Sequence, residues 1–261
     1  MGTTLMERYK NAFIGLNLVK NKLDILGHLL DIYKNGYVIY KLKNGYKLKI
    51  PAIKKHRTTI LSIEEIFGRE IYKSYISNQP ITILDIGSQI GIYSLYAALK
   101  NKQAKIFAFE PDPGNAKVLR NNIELNNLGK TIIPFEKAVT KKKGKLPLYI
   151  DENSARAHSL LNKTDNKVIV DCVSLSSIFS DLDIKECDIM KMDIEGAEYD
   201  ILYNCSKKVL NKIKTILIEC HDQSSLNKKY NIEGMKEFLI KNNYEILNQN
   251  DDILIAKKWM I

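Results

Sequence analysis

Four short runs carry acids, glycines or a histidine at spacings able to do chemistry. The first is Asp85-Ile86-Gly87-Ser88-Gln89-Ile90-Gly91. Glycine lets a backbone turn sharply and approach a ligand at the carboxyl end of a strand. The dinucleotide pattern G-x-G-x-x-G is missing, because Gln89 and Ile92 occupy its other two glycine places. A nicotinamide dehydrogenase is therefore disfavoured; a ligand with a cationic centre suits Asp85 better. The second run, Phe109-Glu110-Pro111-Asp112-Pro113, puts Glu110 a little over twenty residues past Gly87. Nucleotide-binding sheets place an acid there for the ribose hydroxyls, and an ionised carboxylate accepts from both. Asp112 reads as an N-cap and Pro113 as the first helical residue. Small, apolar Ala138 and Val139, further along, fit the flank of a flat base.

The third run is Asp193-Ile194-Glu195-Gly196-Ala197-Glu198. Asp193 and Glu195 share a side by the two-residue strand period, and Gly196 permits the turn into a helix. Glu198 reads as a first-turn acid favoured by the helix dipole. Asp193 is the candidate catalytic base and Glu195 a substrate contact. In the fourth run, Glu219-Cys220-His221-Asp222, His221 is a second candidate to orient or deprotonate a hydroxyl, with Glu219 on the substrate side. Carboxylates such as Asp193 and Glu219 suit a divalent cation, but nothing in the spacing assigns a metal site.

These residues need a scaffold that brings strand ends together. From Ile81 onward short apolar runs alternate with helical spacing. Strands are expected at 81–86, 104–110, 131–135, 188–193 and 215–220, with helices at 91–100, 114–126, 198–203 and 232–242. A β-rich insertion, 145–150 and 167–173, interrupts the rhythm. Strands 244–248 and 253–257, joined by a turn at Gln249-Asn250-Asp251-Asp252, close the chain. Such alternation implies a parallel sheet covered on both faces, with an antiparallel C-terminal edge. Before it, residues 1–57 read as a separate segment. Met1 to Lys22 reads as an amphipathic helix, and apolar helical spacing at Phe13, Leu16, Leu18, Val19 and Leu23 runs through the start of the segment. Strands 37–42 and 46–50 follow, turned by Asn44-Gly45. A helix carrying Ile63, Ile66, Phe67, Ile71 and Tyr72 begins the second unit, 58–261.

The chain of 261 residues has 45% hydrophobic residues and a net charge of +10. No apolar run or leader-like core points to a membrane span or export, so a cytoplasmic protein is expected. Cys172, Cys187, Cys205 and Cys220 lack metal-ligand spacing and read as free thiols, largely buried. The Lys141–Lys145 cluster reads as a solvated turn.

Four pieces in order resemble the FkbM family of S-adenosylmethionine-dependent methyltransferases. They are Leu84-Asp85-Ile86-Gly87 with Gly91; Phe109-Glu110-Pro111-Asp112; Asn121-Asn122-Ile123-Glu124-Leu125-Asn126; and Lys191-Met192-Asp193-Ile194-Glu195-Gly196-Ala197-Glu198. The resemblance runs from about Thr58 to the C-terminus. It implies a class I, Rossmann-like α/β fold with a seven-stranded sheet and S-adenosyl-L-methionine as cofactor. Asp85, Gly87, Ser88, Gln89, Gly91, Glu110, Pro111, Asp112 and Ala138 would then hold that cofactor. O-methylation of a hydroxyl on a sugar, glycan or related small molecule is the implied reaction. Two departures stand out: Ser88-Gln89 where the family reads Ala-Asn, and Ser174-Leu175-Ser176 where it reads Thr-Leu-Asp. An RNA methyltransferase would account for the positive charge, although no N-P-P-[YF] motif is present. A non-catalytic scaffold retaining the fold is the third reading.

Overall fold

The computed structural model describes residues 5–33, 36–53, 56, 58–150, 166–249 and 252–259. In chain order it begins with α1 (Leu5–Asn17), α2 (Lys22–Leu29) and a hairpin of β1 (Tyr37–Lys41) and β2 (Lys47–Pro51). Then come α3 (Thr59–Ile63), which runs on as a π-helical turn over Glu64–Gly68, β3 (Thr82–Ile86), α4 (Ile92–Lys100), β4 (Lys105–Phe109), α5 (Pro113–Leu125) and β5 (Ile132–Phe135). A small sheet of β6 (Ala138–Val139), β7 (Gly144–Tyr149) and β8 (Lys167–Val173) precedes α6 (Leu175–Asp181). The remainder is β9 (Cys187–Met192), α7 (Glu198–Tyr203), α8 (Lys207–Leu210), β10 (Ile213–Glu219), α9 (Ile232–Lys241), β11 (Tyr244–Gln249) and β12 (Ile253–Lys258).

The main sheet has seven strands in the order β11-β12-β10-β9-β3-β4-β5. The five from β10 to β5 are parallel, while β12 runs antiparallel to both β10 and β11. The chain winds outward from β3 through β4 to β5, then crosses back to β9 on the other side of β3. Order therefore reverses between β3 and β9, and the crevice beyond their carboxyl ends is where such sheets bind ligands. Register puts Asp85 opposite Lys191 and Ile86 opposite Met192.

Alternate residues of the strands feed two cores. Ile83, Ile106, Ala108 and Ile189 pack with α4, α5 and the N-terminal hairpin residues Tyr40, Leu48 and Ile50. Leu84, Ile86, Phe107, Met190 and Met192 pack with α6, α7 and α9 on the opposite face. The first core passes without a break across the 57/58 boundary read from the sequence. Side chains on α5 fasten the hairpin to it: Lys47 N–H donates to Asn126 Oδ1 at 2.8 Å, and Lys49 N–H to Asn122 Oδ1 at 2.6 Å.

The N-terminal helix departs from expectation. α1 stops at Asn17 because the following backbone joins the hairpin. Val19 bridges Leu42, Lys20 N–H donates to Lys41 O at 2.7 Å, and Lys43 N–H to Leu18 O at 2.8 Å. Residues 1–4, which the expected helix included, lie outside the described residues, as do Asn250 and Asp251 of the closing turn. The next helix ends at Gly68, so Ile71 and Tyr72 follow it in a turn. α6 was not foreseen; its signal is the Ser174/Ser177 capping box, followed by buried Ile178 and Phe179.

Candidate active site

The glycine turn leaves β3 with Gly87 at φ +80°, Gln89 at +50° and Gly91 at +90°. Gly87 and Ser88 N–H both donate to Phe109 O at 3.0 Å, which ties the turn to the end of β4. Glu110, buried, completes the tie. Its Oε2 accepts from Gln89 N–H at 2.8 Å and its Oε1 from Asp112 N–H at 2.9 Å. An ionised carboxylate has about four acceptor positions in all, which is compatible with Glu110 also receiving ribose hydroxyls. On the other side of the turn, Asp193 N–H donates to Ile86 O at 3.1 Å. A Cβ at Gly87 would stand 1.9 Å from Asp193 O, so this approach requires glycine.

Asp85 is fully buried at the foot of the turn, and burial raises its pKa. Ser94 Oγ donates to its Oδ2 at 2.6 Å, while its Oδ1 is buried without a hydrogen-bond partner among the described residues. Ser88 Oγ is in the same condition. Orphaned buried polar atoms carry a desolvation cost of about 1–3 kcal/mol. A cationic, hydrogen-bonding ligand would relieve both, so this end of the cleft fits the sulfonium and amino-acid portion of S-adenosylmethionine.

The ends of β9 and β10 supply a charged cluster. Lys191 is buried, donates from Nζ to Asp193 Oδ2 at 3.3 Å and lies 5.9 Å over the Tyr93 ring. Burial alone would lower the Lys191 ammonium, but Asp193, Asp85 and Glu219 outweigh it and hold the group above the ordinary lysine value. Asp193, and then burial, push the Glu219 carboxyl up to about 8. His221 Nδ1 lies 2.9 Å from Oε1 of the fully buried Glu198, which also accepts from Ile194 N–H at 3.0 Å. Burial would lower the imidazolium; the bond to Glu198, with Asp193 and Glu195 nearby, instead pushes it up to about 10. Asp193, Glu219 and His221 each offer a ligand atom, all within 4.8 Å of one another, a set that would hold a divalent cation only with His221 deprotonated.

One cleft gathers Asp85, Gly87, Ser88, Gln89, Glu110, Pro111, Ala138, Asp193, Glu195 and Glu219 along its walls. Three of the residues singled out in the sequence do not line it. Gly91 sits behind the turn, where a Cβ would meet Leu119 at 2.5 Å. Asp112 caps α5 by accepting from Asn115 N–H at 2.7 Å. His221 stands behind Glu195, its Nε2 3.6 Å from Glu195 Oε2 and 3.8 Å from Glu219 Oε1. Other wall residues went unassigned. Lys191 is one of these, and its signal is a lysine two residues before Asp193, hence on the same side of the strand. Ser62, Glu65 and Tyr72 come from the segment before β3, and Tyr93 from α4. Nothing local in the sequence marks those four. Asn122 also acts unseen, donating from Nδ2 to Ile90 O of the glycine turn at 2.9 Å.

Comparison with known proteins decides what kind of cleft this is. A model described as the methyltransferase FkbM domain matches residues 85–246. The chain belongs to the FkbM methyltransferase family. It has the class I methyltransferase fold, and its cofactor is S-adenosylmethionine. Among curated relatives it is similar to methyltransferase sdnD of Sordaria araneosa, with 26% identity over 71% of this chain and 86% of that one. It is also similar to hexuronic acid methyltransferase AglP of Haloferax volcanii, at 20% identity over 77% and 84% of the respective chains. A third relative is 2-O-methyltransferase NoeI of Sinorhizobium fredii, 26% identical over 54% of this chain and 63% of that one. In this FkbM methyltransferase the cleft joins the glycine turn and Glu110, on β3 and β4, to an acidic half built on β9 and β10.

Proposed function

We propose that this FkbM enzyme O-methylates a hydroxyl of a sugar, glycan or related small molecule, with Asp193 taking the hydroxyl proton. The observation that carries the reading is the position of Asp193. Its backbone is bonded to the last carbonyl of β3, and its side chain shares a cleft with Asp85 and Glu110. A base beside the donor's sulfonium end is what transfer to a neutral hydroxyl needs. The printed activities of two relatives, one acting on a hexuronic acid and one a 2-O-methyltransferase, support a sugar-type acceptor.

The residues divide the work. Asp85 and Ser88 meet the charged end of S-adenosylmethionine, Glu110 the ribose, and Pro111 and Ala138 flank the base. Gly87 and Gln89 shape the turn, with Gly91 and Asp112 setting the helices behind it. Bound there, the cofactor supplies a methyl group already activated on sulfonium, so the protein need only align, exclude water and move a proton. Asp193 accepts the proton; Glu219 and Glu195 receive acceptor hydroxyls. His221, charged at neutral pH because Glu198 faces it, serves as a cation rather than a base, and its Nε2 pairs electrostatically with Glu195 and Glu219 and so positions them. Four free cysteines, three of them buried, fit a reducing compartment, and the reading includes a cytoplasmic location. No helix among the described residues is long and apolar enough to cross a membrane.

Incubation with S-adenosylmethionine and a panel of hydroxylated sugars, read by mass spectrometry, tests the proposal. Gain of one methyl on oxygen by at least one sugar is expected. Cofactor binding with no sugar modified, alongside methylation of tRNA, would replace this reading with the RNA one.

A further inference from the structure

α2 presents apolar residues on both of its sides. Ile25 and the edge at Gly27 and His28 face inward and are buried. Leu23, Leu26 and Leu30 recur at i, i+3 and i+7 on the other side and are 83%, 38% and 71% exposed. An amphipathic helix of a globular protein carries polar residues there. Ile32, just beyond the helix, is 67% exposed and Phe13 on α1 equally so.

The same segment is strongly basic. Residues 10–49 contain eight lysines against two aspartates, a net of +6 out of +10 overall. Backbone pairing draws several of those lysines to the start of the leucine stripe. Lys20 N–H bonds Lys41 O, Lys43 N–H bonds Leu18 O, and Lys22 opens α2 with its Nζ on Asn17 Oδ1 at 2.8 Å. All four of these lysines are exposed. Leucines and lysines at one edge have a complementary partner: a surface with an apolar interior and negative headgroups. A second copy of the chain is a poor match, because pairing the stripe with itself would bring two such basic faces together. An RNA would use the lysines and leave the leucines in water.

We propose that the α2 face docks the protein on an anionic lipid surface, with Leu23, Leu26 and Leu30 entering the headgroup–acyl boundary and Lys20, Lys22, Lys41 and Lys43 meeting lipid phosphates and carboxylates. This surface is separate from the cleft, and the inference does not depend on the acceptor. It is tested by flotation of the full chain with phosphatidylcholine vesicles, with and without phosphatidylserine. Binding is expected only with phosphatidylserine, weakening as salt is added. The double variant Leu23→Ser, Leu30→Ser is expected to bind vesicles about tenfold less tightly or worse, since binding scales with the apolar area inserted. Lys20→Glu with Lys22→Glu is expected to lose the phosphatidylserine preference. Calorimetry with S-adenosylmethionine, unchanged in all variants, shows that they remain folded. Three results would overturn the proposal: no flotation of the wild type with phosphatidylserine, undiminished flotation of the leucine variant, or a dimer of the wild type in sedimentation that the leucine variant breaks.

Discussion

Lys191 occupies a buried strand position that burial alone would make hostile to charge, yet Asp85, Asp193 and Glu219 keep its ammonium charged. The benefit is mutual. A fixed cation favours the ionised form of each carboxylate near it, including the one assigned as base. Lys191→Met should therefore shift the acidic limb of the kcat–pH profile upward, because Asp193 then holds its proton to higher pH. Lys191→Arg, which keeps the charge, should restore the limb. If Lys191 served only packing, methionine would lower activity without moving the limb. Asp193→Asn makes a sharper demand at the same scale: turnover on the sugar acceptor should fall by about 10²–10⁴-fold, the usual contribution of a positioned base. Calorimetry should find S-adenosylmethionine binding retained. Turnover unchanged in Asp193→Asn would remove it from the base's role.

The turn between β3 and α4 shows how an element holds the site rather than merely ends a strand. Gly87 combines φ +80° with an approach to a backbone carbonyl, a contact that no rotamer change relieves. Gly87→Ala should cost more than the roughly 1–2 kcal/mol of the left-handed backbone alone. Both a lower Tm and weaker S-adenosylmethionine binding should follow. A variant with wild-type Tm and affinity would mean that the β3 and β9 ends can separate freely. Much of this element was legible in advance. Strand-to-helix order, Gly87, Glu110 and the Asp193 run all depend on local chemistry and short spacing, which a sequence displays directly. What stayed hidden depends on partners far along the chain. Asn122 bonds Ile90 of the turn and Lys49 of the hairpin, while Tyr72 reaches the cleft from a segment with no motif. The N-terminal helix stops short of its expected end for a related reason. Helical spacing at Leu18 and Val19 lost to backbone pairing with a hairpin more than twenty residues later.

Across the whole molecule, the acidic cluster should make stability depend on pH in one direction. Glu219 titrates at about 8 in the folded protein against an ordinary 4.5, and His221 at about 10 against 6.5. In both cases the folded state holds a proton that the unfolded chain has released, so stability falls as pH rises through those windows. The contribution of Glu219 is present below 4.5 and lost toward about 8; that of His221 is present below 6.5 and lost toward about 10. Global charge pulls the other way, since a protein at +10 sheds self-repulsion as pH climbs toward its pI near 9.2. A substitution separates the two. Glu219→Gln leaves the overall charge almost untouched but removes the carboxyl that Asp193 repels. Melting curves of the cofactor-free protein across this range should therefore show a flatter decline for Glu219→Gln than for wild type between 4.5 and about 8. Above that pH the variant should melt higher than wild type. Parallel curves for the two proteins would mean that Asp193 and Glu219 do not repel each other in the fold, and that the cluster is not where this molecule concentrates its charge.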